Sequence, residues 1–202
     1  EKMEQKYFPI LIGGDHSVAV SSALAATKTN TNIGIIWIDA HGDFNTFETT
    51  QTGNIHGLPL AAIAGYKNED LRYFHDGNTI HPSKVVIVGA RSLDQGEKEN
   101  LKYAGITVFT TEDIKNRGVE AVMDEAFKIA GEKTKGIHIS YDIDVIDPNY
   151  APGVSVPEFD GINVEEAMKI NEIIIKHIEE ITSYDLVEFN PLRDIERKTE
   201  QI

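Results

Sequence analysis

The sequence predicts an α/β protein built in three α-β-α layers around a mostly parallel, doubly wound sheet. Short apolar, β-branched segments alternate along the chain with longer amphipathic ones, and this alternation is typical of strands joined by helical crossovers. The chain has 202 residues, of which 41% are hydrophobic and 26% are charged. We therefore expect a single globular domain over residues 1–202 with a sizeable core.

The predicted elements follow from composition and periodicity. Apolar, β-branched runs predict strands at 8–12, 33–38, 85–88, 107–110, 137–141 and 184–188. Amphipathic periodicity predicts helices at 17–28, 58–65, 95–104, 119–130 and 164–178. A polar, Thr-rich segment at 45–54 and a Pro- and Gly-rich segment at 148–161 predict two long loops above the ends of the strands.

Composition excludes several classes of function. The chain contains no cysteine, so disulfides, thiolate metal sites and cysteine nucleophiles are excluded. The formal net charge of -14 argues against a nucleic-acid partner, because phosphate contacts need clustered Lys and Arg. Neither a long apolar segment nor a signal-like start is present, so we expect no membrane association and a cytoplasmic location. Residue 1 is Glu rather than an initiator Met, which indicates part of a longer protein.

Three ionisable side chains follow directly on the strand predicted at 33–38. Asp39, His41 and Asp43 occupy alternate positions where an α/β sheet normally carries its active site. Without a cation these groups would repel or desolvate one another, so we interpret them as metal ligands. The alternative, a solvated Asx turn, is the weaker interpretation.

The same pattern recurs at two further strand ends. Asp142 and Asp144 follow the strand predicted at 137–141, and His16 follows the apolar run at 8–14. His16 also fits a capping turn or an anion site at a helix start. We interpret Asp147, which precedes Pro148, as a turn residue. Among the other histidines, we expect His138 in the core and His75, His81 and His177 at the surface.

The combined ligand set predicts a centre with two metal ions. Four carboxylates balance two dications, and carboxylate with imidazole favours Mn²⁺, although Fe²⁺, Co²⁺ and Zn²⁺ also fit this donor set. Two such ions about 3.5 to 4 Å apart make water nucleophilic near neutral pH. The chemistry indicated by these residues is hydrolysis.

Four blocks of the sequence resemble the signature motifs of the ureohydrolases, the family of arginases and agmatinases. They are Gly13-Gly14-Asp15-His16-Ser17, Asp39-Ala40-His41-Gly42-Asp43, Tyr141-Asp142-Ile143-Asp144 and Glu188-Phe189-Asn190-Pro191. The blocks occur in the family's order and at its spacing, over nearly the whole chain. Asn45 and the segment 52–59 resemble the arginase loop more than its agmatinase counterpart. The resemblance implies an arginase-like fold and a dimanganese enzyme that converts L-arginine to L-ornithine and urea.

The resemblance also implies roles for individual residues. It places Asp43, His56 and Glu188 in catalysis, with His56 as a proton shuttle and Glu188 facing the guanidinium, which a carboxylate can hold by two parallel hydrogen bonds. Asn45, Thr52 and Asn54 match positions that meet the α-carboxylate. Asp94 and Glu97 match positions that meet the α-amino group. Without the resemblance, Glu188 would be interpreted as a surface acid and His56 as an exposed loop residue. Asp94 and Glu97 would be interpreted as an acid pair at a helix start.

Some features of the sequence depart from the family or leave alternatives open. Arginases commonly have a threonine near Val156, so a hydroxyl near the guanidinium is either missing or supplied by Ser155. Family chains also usually have a strand and helix before the first block and a helix after the last. The alternative functions are hydrolysis of agmatine, another guanidino acid or formiminoglutamate, or an inactive metal-binding module. We expect a small cationic guanidino substrate and a homo-oligomer.

Overall fold

The computed structural model describes residues 7–67 and 78–202, and these form one six-stranded sheet in the order β1-β6-β5-β2-β3-β4. Every neighbouring pair of strands is parallel. The strands are Ile10–Ile12 (β1), Gly34–Ile38 (β2), Val85–Ala90 (β3), Thr107–Thr110 (β4), Ile137–Asp142 (β5) and Ile181–Val187 (β6). The chain leaves β2 toward β3 and β4, then returns to the other side of β2 with β5. The sheet is therefore doubly wound, with its switch point between β2 and β5.

Helices cover both faces of the sheet. They are Ala19–Thr29 (α1), Pro59–Ile63 (α2), Gln95–Ala104 (α3), Thr111–Arg117 (α4), Val119–Gly131 (α5) and Val164–Lys176 (α6). Ile36 and Ile38 of β2 pack in one core with residues of α4, α5 and α6. Ile35 and Trp37 pack in the other with residues of α1, α2 and α3. Because successive side chains of a strand point to opposite faces, this central strand supplies both cores, and the predicted three-layer α/β fold is confirmed.

The observed elements agree closely with the predicted ones, and apart from two larger differences their ends shift by at most about two residues. Helix α3 has the predicted bounds, whereas β6 begins at Ile181 rather than at residue 184. The sequence interpretation also missed α4, a short helix that begins with a capping box between Thr110 and Asp113. That box was the available signal, because Thr followed three residues later by an acid is typical of a helix start. In the described part of the chain, no helix has the length and apolar character needed to cross a membrane.

Gly34 is required where β2 passes under α5. A Cβ atom at this position would collide with the backbone carbonyl of Ala130. A backbone atom of a packed helix cannot move aside as a flexible side chain can. The residue at position 34 therefore sets how closely α5 approaches the central strand.

We expect Gly34→Ala to lower the free energy of unfolding by about 1–3 kcal/mol, because overpacking forces α5 away from the sheet. Gly131→Ala is the matched control, since a Cβ there would meet Ile137 Cδ1 at 3.5 Å and Glu180 Oε2 at 3.6 Å, which are ordinary contacts. Urea titration followed by far-ultraviolet circular dichroism measures both variants. Equal unfolding midpoints for the two would contradict the close-packing argument.

Candidate metal centre and adjoining cleft

The parallel sheet brings the candidate ligands to one edge of the molecule. His16 begins the turn after β1, and Asp39, His41 and Asp43 follow β2. Asp142 is the last residue of β5, and Asp144 lies in the turn after it. Because the carboxyl ends of parallel strands meet at the same edge, residues far apart in sequence converge there.

His16 lies at the centre of one group of carboxylates. Its Nδ1 atom is 3.0 Å from Asp39 Oδ2, 3.2 Å from Asp43 Oδ2 and 3.1 Å from Asp142 Oδ2. The ring is 1% exposed and stacks on Trp37 with 3.9 Å between ring centroids. Nδ1 nevertheless makes no aligned hydrogen bond with any of these oxygens. A buried nitrogen that faces three carboxylates in this way is arranged for a shared cation.

A second group forms around His41 and shares Asp39 with the first. His41 Nδ1 is 2.9 Å from Asp144 Oδ2 and 3.4 Å from Asp39 Oδ1. Asp39 therefore directs one oxygen toward each histidine. The Trp37 indole N–H donates to Oδ2 at 2.9 Å, and the backbone N–H of His41 donates to Oδ1 at 2.6 Å. These two donors fix the orientation of the shared carboxylate.

Burial and the crowding of carboxylates raise the pKa values of several groups in the cluster. Burial, reinforced by Asp39, raises the pKa of Asp43 to about 8, and burial with neighbouring carboxylates also raises the pKa values of Asp142 and Asp144. Burial alone would lower the pKa of His41, but Asp144 and Asp39 outweigh it and raise that pKa to about 12. The cluster thus holds protons where a divalent cation would compensate the same negative charge.

The residues present fit a pair of divalent ions. Three groups of described residues have ligand atoms that all lie within 4.8 Å of one another: His16 with Asp39 and Asp43, Asp39 with His41 and Asp144, and Asp15 with His56 and Glu188. The first two share Asp39 and form the buried centre, whereas the third lies at the mouth of the cleft. Oxygen and imidazole donors suit Mn²⁺, Fe²⁺, Co²⁺ and Zn²⁺, and the donors alone do not distinguish these metals.

A cleft of about 250 Å³ opens beside this cluster. Asp39 is fully buried beneath it. The other residues predicted for the site all line the cleft: His16, His41, Asp43, Asn45, Thr52, Asn54, His56, Asp94, Glu97, Asp142, Asp144 and Glu188. The structure therefore brings together side chains from the predicted loop at 45–54 and from four strand ends, and Val156 and Glu158 of the predicted loop at 148–161 line the same cleft.

The polar residues of the 45–54 loop divide into a buried one and two exposed ones. Asn45 is buried, donates from Nδ2 to Asp94 Oδ2 at 3.1 Å and accepts from the Thr49 hydroxyl at 2.9 Å. Thr52 and Asn54 are exposed at the rim, where the Thr52 hydroxyl accepts the backbone N–H of Asn54 at 3.1 Å. Thr52 and Asn54 are thus accessible to water, and Asn45 supports Asp94.

Glu97 holds backbone as well as lining the cleft. Its carboxylate accepts the backbone N–H groups of Phe44 at 2.8 Å and Asp94 at 3.3 Å. Burial raises the pKa of Glu97 to about 7 despite these hydrogen bonds. Glu97 therefore makes the contacts of an acid at a helix start, which was the alternative interpretation of this residue. Its hydrogen bond with Phe44 also joins α3 to the segment that follows Asp43.

His56 and Glu188 meet at the mouth of the cleft. His56 Nδ1 is 3.2 Å from Asp15 Oδ2, and Glu188 Oε1 accepts the backbone N–H of His16 at 2.7 Å. Glu188 adopts a left-handed backbone conformation with φ of 65°, which is uncommon for a residue with a side chain. Burial raises the pKa of Glu188. Asp15, which the sequence interpretation treated only as part of a turn, thus contacts the predicted proton shuttle.

Glu158 lines the cleft and was not predicted from the sequence. It lies on the 148–161 loop, accepts from the Ser92 hydroxyl at 3.0 Å and lies 3.7 Å from His41 Nε2. Asp15 had a signal in its position directly before His16. No spacing or strand end marks Glu158, because its place depends on how the loop folds back.

The sequence also led to predictions for Ser155, for Asp147 and for the histidines outside the ligand set. Val156 lines the cleft, whereas Ser155 does not, and the Ser155 hydroxyl accepts from Asn190 Nδ2 at 3.2 Å, so Ser155 is not placed to replace a missing threonine. His138 is buried and His81 is exposed, as predicted. Asp147 accepts the backbone N–H of Asn149 in an Asx turn, also as predicted, and in addition accepts that of Gly161. His177 is partly exposed, in keeping with the predicted surface position, and its ring stacks on Phe127. His75 lies outside the described residues.

A doubly wound parallel sheet with imidazoles and carboxylates gathered at its carboxyl edge defines an α/β protein with a candidate binuclear metal centre. The model of the Arginase family matches residues 1–202. The chain is 42% identical over 198 residues to an arginase of Bacillus subtilis, an alignment that covers 98% of this chain and 66% of that protein. This chain belongs to the arginase family.

Solved structures give the same result. The arginase from Bacillus cereus superposes with a TM-score of 0.91 at 39% identity, covering 98% of this chain and 68% of that one. The arginase from Entamoeba histolytica, solved in complex with L-ornithine, has a TM-score of 0.89 at 34% identity, covering 98% and 69%. The chain spans just under two thirds of the length of the curated relatives it matches.

Arg91 anchors the long loop beside the metal centre. Its guanidinium donates to the carbonyl oxygens of Asp144 at 2.7 Å, Val145 at 3.1 Å, Glu158 at 2.8 Å and Phe159 at 2.9 Å. A weaker contact reaches the Gly89 carbonyl at 3.4 Å. Only a guanidinium offers five N–H donors in a rigid plane. Arg91 therefore ties the turn that carries Asp144 to both the loop and β3.

We expect Arg91→Lys to lower the free energy of unfolding by about 1–3 kcal/mol, because an ammonium has three donors and leaves some of these carbonyls unsatisfied. Arg117→Lys is the matched control. Arg117 forms an exposed ion pair with Glu125, and changes of this kind usually stay within about 0.5 kcal/mol. Both variants are measured by chemical denaturation, and equal stability of the two would contradict an anchoring role for Arg91.

Proposed function

We propose that this protein is a binuclear metal hydrolase that cleaves the guanidino group of L-arginine to give L-ornithine and urea. The observation that carries the proposal is the pair of buried ligand groups sharing Asp39, beside a cleft that also holds His56 and Glu188. The similarity to arginases over 98% of the chain supports this choice among ureohydrolases.

The proposed metals are two Mn²⁺ ions, with Fe²⁺, Co²⁺ and Zn²⁺ as chemically suitable substitutes. His16, Asp39, Asp43 and Asp142 would hold one ion, and Asp39, His41 and Asp144 would hold the other. When bound, the two ions would supply Lewis acidity that makes water nucleophilic near neutral pH. The remaining chemistry is the work of side chains in the cleft.

Glu188 is the proposed partner of the guanidinium. One of its oxygens is anchored by the backbone N–H of His16, so the carboxylate is held in a fixed orientation with its second oxygen able to accept from the substrate. A guanidinium would restore positive charge beside a half-buried acid whose pKa is raised by burial. Charge pairing and planar geometry together would position the carbon that is attacked.

His56 is the proposed carrier of protons for the departing amine. Its Nδ1 faces Asp15, so Nε2 is the ring nitrogen that can exchange a proton with substrate and solvent. The side chain is 29% exposed at the mouth of the cleft, where it can reach both. An imidazole is suited to this task because its ordinary pKa lies close to neutral pH.

The α-carboxylate and α-amino group of the substrate are proposed to lie toward the rim. Asn45, Thr52 and Asn54 offer neutral donors that suit a carboxylate, and Asp94 offers a charge that suits an ammonium. Asn45 already donates to Asp94, which links the two halves of this subsite. Glu97 contributes indirectly by holding the backbone of Asp94.

A pair of variants tests the division between metal binding and proton transfer. We expect the wild type to take up two Mn²⁺ per chain and to release urea from L-arginine. His16→Ala should lose one ion, because it removes the only imidazole of its group. His56→Ala should retain both ions but turn over roughly 10²- to 10⁴-fold more slowly. Metal content is measured by mass spectrometry after gel filtration, and urea by a colorimetric assay.

Each outcome separates one assignment from the others. Wild-type protein that binds Mn²⁺ but releases no urea from any guanidino compound would indicate an inactive metal-binding module. Wild-type activity in His56→Ala across neutral pH would remove the shuttle assignment alone. Full metal content in His16→Ala would contradict the ligand set.

The choice of substrate is tested by comparing arginine with agmatine, which lacks the α-carboxylate. We expect kcat/KM to favour arginine by roughly 10- to 100-fold, because an unmet polar group costs about 1–3 kcal/mol and 1.4 kcal/mol corresponds to tenfold. The preference is limited because Thr52 and Asn54 are exposed, so water can satisfy them when agmatine binds. Asn54→Ala should harm arginine while leaving agmatine little changed. An equal or higher kcat/KM for agmatine would exclude the arginase assignment and leave a broader ureohydrolase.

A further inference from the structure

A line of hydrogen bonds between buried side chains runs from the candidate metal centre into the sheet. His16 Nε2 lies 2.8 Å from Ser140 Oγ, and the Ser140 hydroxyl donates to Asp185 Oδ1 at 2.5 Å. Ser140 on β5 is directly opposite Asp185 on β6. Both are fully buried, and His16 is 1% exposed. None of the proposed catalytic steps uses Asp185 or Ser140.

The second oxygen of Asp185 is also fully engaged. It accepts from the Ser22 hydroxyl of α1 at 2.5 Å and faces His138 Nε2 at 2.9 Å. His138 Nδ1 in turn lies 2.7 Å from Ser183 Oγ. Burial alone would raise the pKa of Asp185, but His138 and the serine hydroxyls outweigh it and lower that pKa. Both oxygens of Asp185 accept from serine hydroxyls, and Oδ2 also faces a ring nitrogen, so the surroundings are those of an ionised carboxylate, which accepts hydrogen bonds and donates none.

The direction of each hydrogen bond follows from that charge. Ser140 has one hydroxyl proton, and it goes to Asp185, so the remaining lone pairs of Ser140 Oγ can only accept. His16 Nε2 must therefore carry a proton and donate to Ser140. In the neutral imidazole this leaves Nδ1 without a proton, and Nδ1 is the atom that faces Asp39, Asp43 and Asp142.

We propose that Asp185 is a positioning residue that acts through Ser140 to hold His16 in the tautomer that presents the lone pair of Nδ1 to a metal ion. This inference rests on the proposed metal centre. It adds a specific role for a carboxylate that lies behind the ligands rather than among them. Such outer partners orient a ligating imidazole and increase its basicity.

The cost of the network supports a role beyond packing. An ionised carboxylate between two central strands is expensive to bury, and apolar side chains would fill the same space at lower cost. Every side-chain nitrogen and oxygen of the network has a hydrogen-bond partner except His16 Nδ1. The atom of this network that lacks a partner, His16 Nδ1, is thus the atom that a metal ion would bind.

The second candidate ion has no comparable support. His41 is 23% exposed, and its Nε2 lies 3.7 Å from Glu158 Oε1, beyond hydrogen-bond distance. The network therefore serves the His16 group and not the His41 group. This asymmetry gives the experiment its selectivity.

The test measures Mn²⁺ affinity by titrating metal-stripped protein and following the electron paramagnetic resonance signal of unbound Mn²⁺. In Ser140→Ala we expect the ion of the His16 group to bind about 10- to 100-fold more weakly, while the other ion is little affected. Ser183→Ala is the matched control, since it removes a buried serine hydroxyl from β6 on the far side of His138. We expect it to leave both affinities unchanged.

Two further arms separate this role from a general loss of structure. Asp185→Asn keeps the side-chain volume but replaces one acceptor oxygen with an NH₂ donor, so it can no longer accept from both Ser140 and Ser22, and the same ion should bind more weakly. In a His16→Ala background, Ser140→Ala should have no further effect on the remaining ion, because the imidazole on which it acts is gone. Thermal melting of the metal-free variants verifies that each one folds.

The outcomes distinguish this inference from the proposed function. Equal weakening of both ions, no weakening in Ser140→Ala and Asp185→Asn, or the same effect in Ser183→Ala would overturn the role of Asp185 while the metal centre stands. A wild-type protein that binds no Mn²⁺ would overturn the metal centre and this inference together. Selective loss of the His16 ion in both variants, with Ser183→Ala unchanged, supports it even if no urea is released.

Discussion

Mutual repulsion among buried carboxylates is the constraint around which this structure is organised. Asp39, Asp43, Asp142 and Asp144 lie within a few ångströms of two imidazoles and have almost no contact with solvent. A fold does not keep such a cluster for stability, since apolar residues would pack there at lower cost. Divalent cations would compensate this charge, and hydrogen bonds from the Trp37 indole and the His41 backbone hold the shared carboxylate of Asp39 in place.

That backbone is held by contacts from several directions. Asp43 and Glu188 both have left-handed φ values, 49° and 65°, and such conformations persist only where neighbouring structure enforces them. For Asp43, the carboxylate of Glu97 holds the following residue. For Glu188, its own N–H donates to the Gly14 carbonyl at 2.8 Å and joins the segments that follow the paired strands β1 and β6. Arg91 holds the segment after Asp144 through hydrogen bonds to its carbonyl groups. The backbone beside Asp43, Glu188 and Asp144 is therefore restrained by a separate contact in each case.

Sequence reasoning succeeded where position in a strand determined position in space. The candidate ligands could be recognised because each follows a buried apolar run, and parallel strands align their carboxyl ends. It failed where a role depends on contacts between distant segments. Asp185 lies inside β6 in an alternating pattern and looks like an ordinary solvent-facing position, yet it is buried against Ser140 and His138. Arg91 and Glu158 likewise depend on the path of a long loop, which no local pattern records.

The stacking of His16 on Trp37 has a consequence for how this molecule can be observed. The chain contains one tryptophan, and that indole touches both groups of candidate ligands, through the His16 ring and through its N–H to Asp39. A change in the charge of the imidazole acts directly on the π-system of the indole. Intrinsic fluorescence of this protein therefore reports on the interior of the site, with no second indole in the chain to obscure the signal. Trp37 is therefore an intrinsic fluorescent probe of the candidate metal centre.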